Sequence, residues 1–218
     1  NYNQTLEFLF SSLVSYQEKG PEAYKPGLER ITAFCKHLGN PQRNYFTIRA
    51  GTNGKGSVSH MLASVLQQAG YRTGLYTSPH LRDFRERILV DGEMIPKQKV
   101  VNFVDKHYDC MKELGLSFFR DVHALASTTL TRATSGRVIE TGLGGRLDAT
   151  NLIIPIVSVI TNIGLDHMAL LGDTLPKSQP RSGNHQKSIP VVIGEKSDEY
   201  NHVFDQAATA MMSKIVYA

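Results

Sequence analysis

The sequence predicts an α/β fold, with a mostly parallel sheet and helices on its flanks. Short β-branched runs alternate along the chain with segments that carry apolar residues at helical spacing, as strands joined by crossover helices do. A predicted strand also leads directly into a glycine-rich turn and then into a helix, over residues 45–68. With 218 residues, 41% of them hydrophobic, the chain can bury a substantial core.

The N-terminal half of the chain contributes most of the predicted helices. Apolar residues recur at helical spacing over residues 3–19, 28–38, 57–68 and 99–114. Glycine and proline residues end the first two of these patterns. Strands are predicted between and after these helices, over residues 45–50, 73–77 and 87–90.

The C-terminal half continues the alternation. Residues 137–140, 157–161 and 191–193 are short β-branched runs, which are typical of buried parallel strands. Residues 203–212 predict a closing helix. Neither an internal repeat nor a low-complexity tract interrupts this order, so the pattern favours one α/β sheet.

Composition argues against several classes of protein. Twenty-four Lys and Arg against 20 Asp and Glu give a formal charge of +4, and the basic residues are dispersed without interleaved aromatics, so we expect no nucleic-acid partner. No apolar run approaches the roughly 20 residues of a membrane span, and the first residues lack a signal-peptide pattern, so we expect a cytoplasmic chain. Cys35 and Cys110 are too few and too far apart for a disulfide framework, and we expect buried or inert thiols.

The glycine-rich turn at residues 51–57, GTNGKGS, predicts a phosphate-binding loop. Glycines let backbone N–H groups turn towards phosphate oxygens, Lys55 supplies a positive charge, and the Ser57 hydroxyl can ligate magnesium. The loop departs from the general GxxxxGK[ST] pattern, because Arg49 replaces the first glycine and Gly56 separates Lys55 from Ser57. The alternative is a glycine-rich turn with an incidental lysine.

Five segments together resemble the folylpolyglutamate synthase and dihydrofolate synthase family of the Mur ligase superfamily. The resemblance spans about residues 24–195 and follows the family's order. Its segments are GLERI with LGNPQ at 27–42, GTNGKGS at 51–57, YTSPHL with FRERI at 76–88, ETGLGGRLDATN at 140–151, and GLDH with LGDTL at 164–175. The resemblance implies the central P-loop domain of a Mur-type ligase.

The resemblance also implies an activity and its site. Such ligases use ATP to phosphorylate a folate or dihydropteroate carboxylate, and the amine of L-glutamate then attacks the acyl phosphate. By resemblance the ATP phosphates are held by Asn53, Gly54, Lys55, Gly56 and Ser57. Magnesium is held by Ser57, Ser78 and Glu140, and a second ion by His167; Lys55, Glu140 and His167 are the implied catalytic residues. Positions near the pterin substrate match Phe118, Phe119, Leu147, Asp148 and Ala149.

The residues themselves leave alternatives for several of these roles. Ser78 before a proline also suits the start of a turn, and His167 on its own suits a structural histidine. Phe118 and Phe119 equally suit a hydrophobic core. Glu140 ends an apolar strand at the carboxyl edge of the predicted sheet, where a carboxylate that faces a ligand is expected.

The chain departs from the family pattern at three places. Arg120 follows the aromatic pair where the family has an acidic residue, and we expect His123 on the surface of a helix. Ser182 stands where the family has a carbamylated lysine that helps bind the second metal, and Arg181 replaces its acidic neighbour. Third, we expect residues 1–218 to form an incomplete ATP-binding domain, with the family's C-terminal ligase domain absent from this chain.

These departures leave more than one function open. The first hypothesis is a monomeric, ATP- and Mg²⁺-dependent carboxylate–amine ligase that acts on folate or dihydropteroate and L-glutamate. The second is a non-catalytic ATP-binding relative or fragment without the second metal site. A third, a cell-wall Mur ligase acting on a nucleotide sugar peptide, fits the SPH and GGRLD segments less well.

Overall fold

A computed structural model describes residues 1–19, 27–42, 46–51, 54–142, 148–161, 187–197 and 201–218. These residues contain an eight-stranded sheet with the order β4-β3-β2-β5-β1-β6-β7-β8. Its strands are β1 (Phe46–Gly51), β2 (Thr73–Tyr76), β3 (Ile88–Val90), β4 (Glu93–Met94), β5 (Gly136–Glu140), β6 (Val157–Ile160), β7 (Val191–Ile193) and β8 (Ile215–Tyr217). The helices are α1 (Tyr2–Lys19), α2 (Glu29–His37), α3 (Lys55–Gln68), α4 (Lys97–Leu114), α5 (Phe118–Ala133) and α6 (Asn201–Ala210).

The sheet is mostly parallel, which confirms the predicted fold class. β1 pairs in parallel with β5 and β6, and β2, β7 and β8 extend this parallel sheet on both sides. β3 and β4 are antiparallel at one edge. Residues 77–87 join β2 to β3 through a 3₁₀ turn at Phe84–Arg87 instead of a crossover helix, so β3 returns beside β2 in the opposite direction.

Helices cover both faces of the central strands. Leu75 and Val138 pack with Ala63 and Leu66 of α3. Their sequence neighbours Tyr76 and Ile139 belong to a larger cluster that holds the buried faces of the remaining N-terminal helices, α1, α2, α4 and α5. Because successive strand residues point to opposite faces, α3 and the α1–α2–α4–α5 layer lie on opposite sides of the sheet.

The hydrophobic core is concentrated in that larger cluster. Its fully buried side chains come from α1, α2, α4, α5 and β3, and include Leu9, Ile31, Phe34, Val100, Phe118, Leu125 and Ile88. A separate, smaller cluster joins the C-terminal strands to α6 through Ile160, Val191, Ile193 and Phe204. Among the described residues, the core therefore supports the N-terminal half of the sheet more heavily than the C-terminal edge.

The prediction of His123 on a helix surface is wrong. Its side chain is 1% exposed, and its ring meets that of Tyr76 edge-on with the centroids 5.8 Å apart. α5 lies between the sheet and the other helices of its layer, so most of its N-terminal half is buried on every side despite its polar residues. Because this segment is rich in serine and threonine, its sequence pattern did not indicate that α5 is buried.

Two further expectations concern thiols and membranes. Both cysteines are free; Cys35 is buried, and burial raises the pKa of its thiol to about 11, which leaves it protonated and inert. In the part of the chain that the structure describes, no helix has the length and hydropathy needed to cross a membrane.

Candidate active site at the carboxyl end of the sheet

Three parallel strands end side by side at one edge of the sheet. β5 lies between β1 and β2, with Ala50 opposite Glu140 and Tyr76 opposite Ile139. The loops that follow these three strands therefore leave the sheet next to one another. This is the edge at which parallel α/β sheets bind their ligands.

The first turn of α3 has the features of an anion-binding helix end. Gly54 precedes the helix with a φ of 73°, a left-handed conformation that glycine adopts readily. Lys55, Gly56 and Ser57 then form the first turn, where backbone N–H groups have no carbonyl partner within the helix. Gly54 and Ser57 are exposed, so phosphate oxygens can approach these donors. Asn53, also predicted to bind the nucleotide, lies outside the described residues.

Glu140 is a buried carboxylate that meets both neighbouring loops. Its side chain is at the end of β5, and the residue is 2% exposed. The backbone N–H of Ser78 donates to Oε2 of Glu140 at 3.3 Å. A Cβ atom added to Gly56 would lie 3.7 Å from the same oxygen. Glu140 thus joins the end of β5, the turn after β2 and the first turn of α3.

The electrostatics of Glu140 favour a cation beside it. Burial raises the pKa of Glu140 to about 7, whereas the Ser78 N–H and the positive charges of Lys55 and Arg87 lower it. Among the described residues, no salt bridge includes this carboxylate. A buried carboxylate without a counter-ion is costly, and a divalent cation would offset that cost.

The donor set suits magnesium. Ser57, Ser78 and Glu140 offer hydroxyl and carboxylate oxygens, and Mg²⁺ in proteins combines one or two such ligands with water and phosphate oxygens. Within the described ranges, no group of three or more His, Cys, Asp or Glu side chains could hold a metal ion. The site would therefore depend on hydroxyl and ligand oxygens. His167, the expected ligand of a second ion, lies outside those ranges.

The predicted substrate residues occupy different environments. Phe118 is 1% exposed and stacks on Phe10 with the ring centroids 4.9 Å apart. Phe118 therefore belongs to the hydrophobic core, the alternative that the sequence left open. Phe119 next to it is 48% exposed. The Asp148 carboxylate accepts hydrogen bonds from the Thr150 N–H and hydroxyl and so caps the 3₁₀ helix Ala149–Leu152.

Of the departures from the family pattern, Arg120 lies in the described part of the chain. Arg120 is 8% exposed, and its Nη2 donates to the carbonyl oxygen of Gly27 at 2.6 Å. This arginine therefore holds the start of the segment that leads into α2. Leu147, Arg181 and Ser182 lie outside the described residues.

The structure adds residues to the site that the sequence did not assign. Arg87 is 4% exposed, and its Nε donates to Nδ1 of His80 at 2.8 Å, two residues beyond Ser78. The Glu86 carboxylate accepts the backbone N–H groups of Leu81, Arg82 and Asp83. The sequence signal for these residues was the FRERI segment, which carried the resemblance without a chemical role.

Curated proteins similar to this chain are enzymes of folate metabolism. The folylpolyglutamate synthase of Lacticaseibacillus casei is 37% identical over 196 residues, which are 85% of this chain and 46% of the relative. The dihydrofolate synthase/folylpolyglutamate synthase of Buchnera aphidicola is 39% identical over 197 residues, 88% of this chain and 46% of the relative. The chain thus spans about half the length of these relatives. No protein-family model matches the sequence.

Solved structures of folylpolyglutamate synthases have the same fold as this chain. The apo form of L. casei folylpolyglutamate synthase superimposes with a TM-score of 0.89 at 34% identity, covering 100% of this chain and 54% of that one. A folylpolyglutamate synthase complex with the ATP analogue AMPPCP and folate gives a TM-score of 0.88 at 33% identity, with 100% and 54% covered. The whole described fold therefore has a counterpart in these enzymes.

Proposed function

We propose that this chain, which belongs to the folylpolyglutamate synthase/dihydrofolate synthase family, forms the nucleotide-binding part of an ATP-dependent ligase. The ligase joins L-glutamate to a folate or dihydropteroate carboxylate. The observation that carries this proposal is the buried Glu140 carboxylate, which faces the first turn of α3 and the turn at Ser78. Phosphate donors and a cation-binding carboxylate meet there.

The chemistry requires positive charge around two anions. In the first step the substrate carboxylate attacks the γ-phosphorus of ATP, which forms an acyl phosphate and releases ADP. In the second the glutamate amine attacks the acyl carbon, an amide forms, and inorganic phosphate leaves. Lys55 and the N–H groups of the first turn of α3 would hold the phosphate oxygens. Bound magnesium would neutralise charge on the transferred phosphoryl group, with Ser57, Ser78 and Glu140 as its protein ligands.

The substrate assignment follows the relatives. A related synthase binds folate together with an ATP analogue, and curated relatives carry both synthase names. Phe119, which matches a family position near the pterin and is half-exposed at the start of α5, would meet the pterin ring. We assign Leu147, Asp148 and Ala149 to the same substrate region and place Phe118 beneath it as support. We further propose a cytoplasmic monomer without a nucleic-acid partner.

The second candidate is a nucleotide-binding relative that does not ligate. Ser182 and Arg181 favour it, because they replace the lysine and the acidic residue expected beside the second metal. Joining this chain to the C-terminal half of the L. casei synthase tests this candidate. Folate- and glutamate-dependent phosphate release with Ser182 in place would reject it. Release that appears only after Ser182→Lys would support it.

Nucleotide binding tests the site itself. Calorimetric titration with AMPPCP and Mg²⁺ should show binding to the wild-type chain. Lys55→Ala should weaken it about tenfold or more, because a charge-assisted contact to phosphate is lost. Lys99→Ala is a matched control, since Lys99 is exposed in the first turn of α4 and should bind as wild type. Unchanged affinity in Lys55→Ala would show that the loop does not hold phosphate.

A further inference from the structure

Arg87 is a buried cation beside the candidate metal site. It is 4% exposed, and its Nη1 atom is buried without a hydrogen-bond partner among the described residues. No salt bridge within those residues includes it. A buried guanidinium with an unsatisfied donor lowers stability unless other contacts offset it. The role of Arg87 therefore depends on the contacts of its other polar atoms.

The remaining polar contacts of Arg87 lie on both sides of one dipeptide. Its carbonyl oxygen accepts the backbone N–H of Thr77 at 3.0 Å. Its Nε donates to Nδ1 of His80 at 2.8 Å. Thr77 and His80 directly flank Ser78–Pro79, the turn that presents the Ser78 N–H to Glu140. The Thr77 contact is a backbone hydrogen bond that any residue at position 87 would make, whereas the His80 contact requires the arginine side chain.

The orientation of His80 is fixed by its surroundings. Its ring lies 6.0 Å from the ring centroid of Phe10 and 6.2 Å from that of Phe84. Because Arg87 donates to Nδ1, the ring hydrogen of neutral His80 is placed on Nε2. The guanidinium carbon of Arg87 in turn lies 5.2 Å from the ring centroid of Phe118. This contact fixes the guanidinium group that donates to His80.

We infer that Arg87 is a positioning residue: acting through its side-chain hydrogen bond to His80, it holds the turn at Ser78–Pro79 so that Ser78 and Glu140 together receive a metal ion. This inference rests on the proposed function. It does not place Arg87 in contact with nucleotide or substrate. Partners that orient metal ligands commonly change metal affinity about 10- to 100-fold when they are removed.

The competing explanation is that Arg87 only packs against Phe118. Arg87→Met separates the two, because methionine keeps an apolar stem and loses the Nε–H donor. Arg85→Met is the matched control from the same 3₁₀ turn, since Arg85 pairs with Asp83 at 2.8 Å and not with His80. His80→Asn and His80→Leu form a second pair: asparagine keeps an acceptor near the position of Nδ1, and leucine does not.

The measurement is the affinity for AMPPCP by calorimetry, once with Mg²⁺ and once with EDTA. Mg²⁺ should raise the affinity of the wild-type chain for AMPPCP, and in Arg87→Met this increase should be about tenfold smaller. The affinity of Arg87→Met in EDTA should stay within about twofold of the wild-type value. His80→Leu should show the same loss, His80→Asn and Arg85→Met should keep the gain, and Arg87→Met/His80→Leu should be no worse than either single variant.

Each departure from this pattern has a distinct meaning. An Arg87→Met variant that keeps the full Mg²⁺ gain, or loses affinity equally in EDTA, overturns the positioning role. If Arg87→Met does not fold, the His80 pair decides, and equal behaviour of His80→Asn and His80→Leu overturns it as well. A wild-type chain that binds AMPPCP without any Mg²⁺ gain would instead refute the proposed metal site itself.

Discussion

Phe118 and Phe119 show how far two adjacent identical side chains can differ. Phe118 is 1% exposed and contacts Phe10, Phe84 and Arg87, whereas Phe119 is 48% exposed. Phe118→Ala should therefore lower the free energy of unfolding by about 3–5 kcal/mol, because it leaves a cavity in the core. Phe119→Ala should lower it by less than about 1 kcal/mol. Urea unfolding followed by circular dichroism measures both.

The same pair separates stability from substrate binding. Phe119→Ala should weaken folate binding while nucleotide affinity stays at the wild-type value, if Phe119 meets the pterin ring as proposed. Equal unfolding free energies for the two variants would contradict the observed burial. Unchanged folate affinity in Phe119→Ala would remove this residue from the substrate region.

Asp121 gives a prediction about pH. It is 4% exposed in the first turn of α5, its Oδ1 lacks a hydrogen-bond partner among the described residues, and burial raises the pKa of its carboxyl from 3.8 to about 8. The folded protein therefore keeps a proton that the unfolded chain releases between these values. Stability from this group is fully present below pH 3.8 and is lost as pH rises through about 8.

Asp121→Asn removes this pH dependence, because asparagine resembles the neutral acid and does not titrate. The difference in Tm, variant minus wild type, should grow as pH rises from 3.8 to about 8 and level off above it, since each unit of raised pKa corresponds to about 1.4 kcal/mol. Differential scanning calorimetry across this range checks it. Asp109→Asn, at an exposed position of α4, is the control and should show no such trend. A constant Tm difference for Asp121→Asn would contradict the prediction.

At the scale of elements, two glycines with different requirements lie at the start of α3, Gly54 just before the helix and Gly56 in its first turn. Gly54 has a φ of 73° with open space around it, so Gly54→Ala should cost about 1–2 kcal/mol of stability through backbone strain alone. Gly56 has no such strain, and an alanine there should leave stability unchanged or raise it slightly. Its Cβ would instead stand 3.7 Å from Glu140 Oε2, between the helix and the carboxylate.

The two variants should therefore separate folding from ligand binding. We expect Gly56→Ala to keep the wild-type Tm and to lose much of its Mg²⁺-dependent affinity for AMPPCP, because the added methyl group narrows the gap beside Glu140. Thermal unfolding and calorimetric titration of both variants check this. Wild-type affinity in Gly56→Ala would show that nucleotide and metal do not use this gap.

The elements that the sequence predicted best are those whose apolar pattern lies entirely within the element. α3 and α4, expected over 57–68 and 99–114, each begin two residues earlier, at Lys55 and Lys97. β4 and β8 were not predicted, because strands of two and three residues at the sheet edge depend on pairing with a neighbour. The antiparallel direction of β3 was also not predicted, since it depends on the path of residues 77–87.

Part of the candidate site could likewise be predicted from the sequence, and part could not. Glu140 was indicated by its place at a strand end of the predicted sheet and Ser78 by the family resemblance, and the structure brings the two together. The Arg87–His80 hydrogen bond could not be predicted, because it depends on how the turn folds back on itself. The burial of His123 likewise depends on which helices cover α5. Both features depend on how the chain folds in three dimensions and not on a local sequence pattern.

At the scale of the whole molecule, the hydrophobic packing that the described residues provide is uneven across one continuous sheet. β2 and β5 are packed from both faces, by α3 on one side and by the larger helical cluster on the other. β8 lies at the sheet edge, pairs only with β7 among the described strands, and leaves Val216 44% exposed. Regions with few buried apolar contacts open more readily than the core. The C-terminal edge should therefore open before the sheet centre.

Hydrogen–deuterium exchange with mass spectrometry tests this gradient and the site together. Amides of β5 (Gly136–Glu140) should exchange at least about tenfold more slowly than those of β8 (Ile215–Tyr217), because the latter need only local opening. Adding AMPPCP with Mg²⁺ should slow exchange in the first turn of α3 and at residues 76–78, where the donors of the site lie, and leave β8 unchanged. Equal protection of β5 and β8 would indicate one cooperative unit. Protection by nucleotide at β8 and not at α3 would place the ligand away from the Glu140 edge and contradict the site.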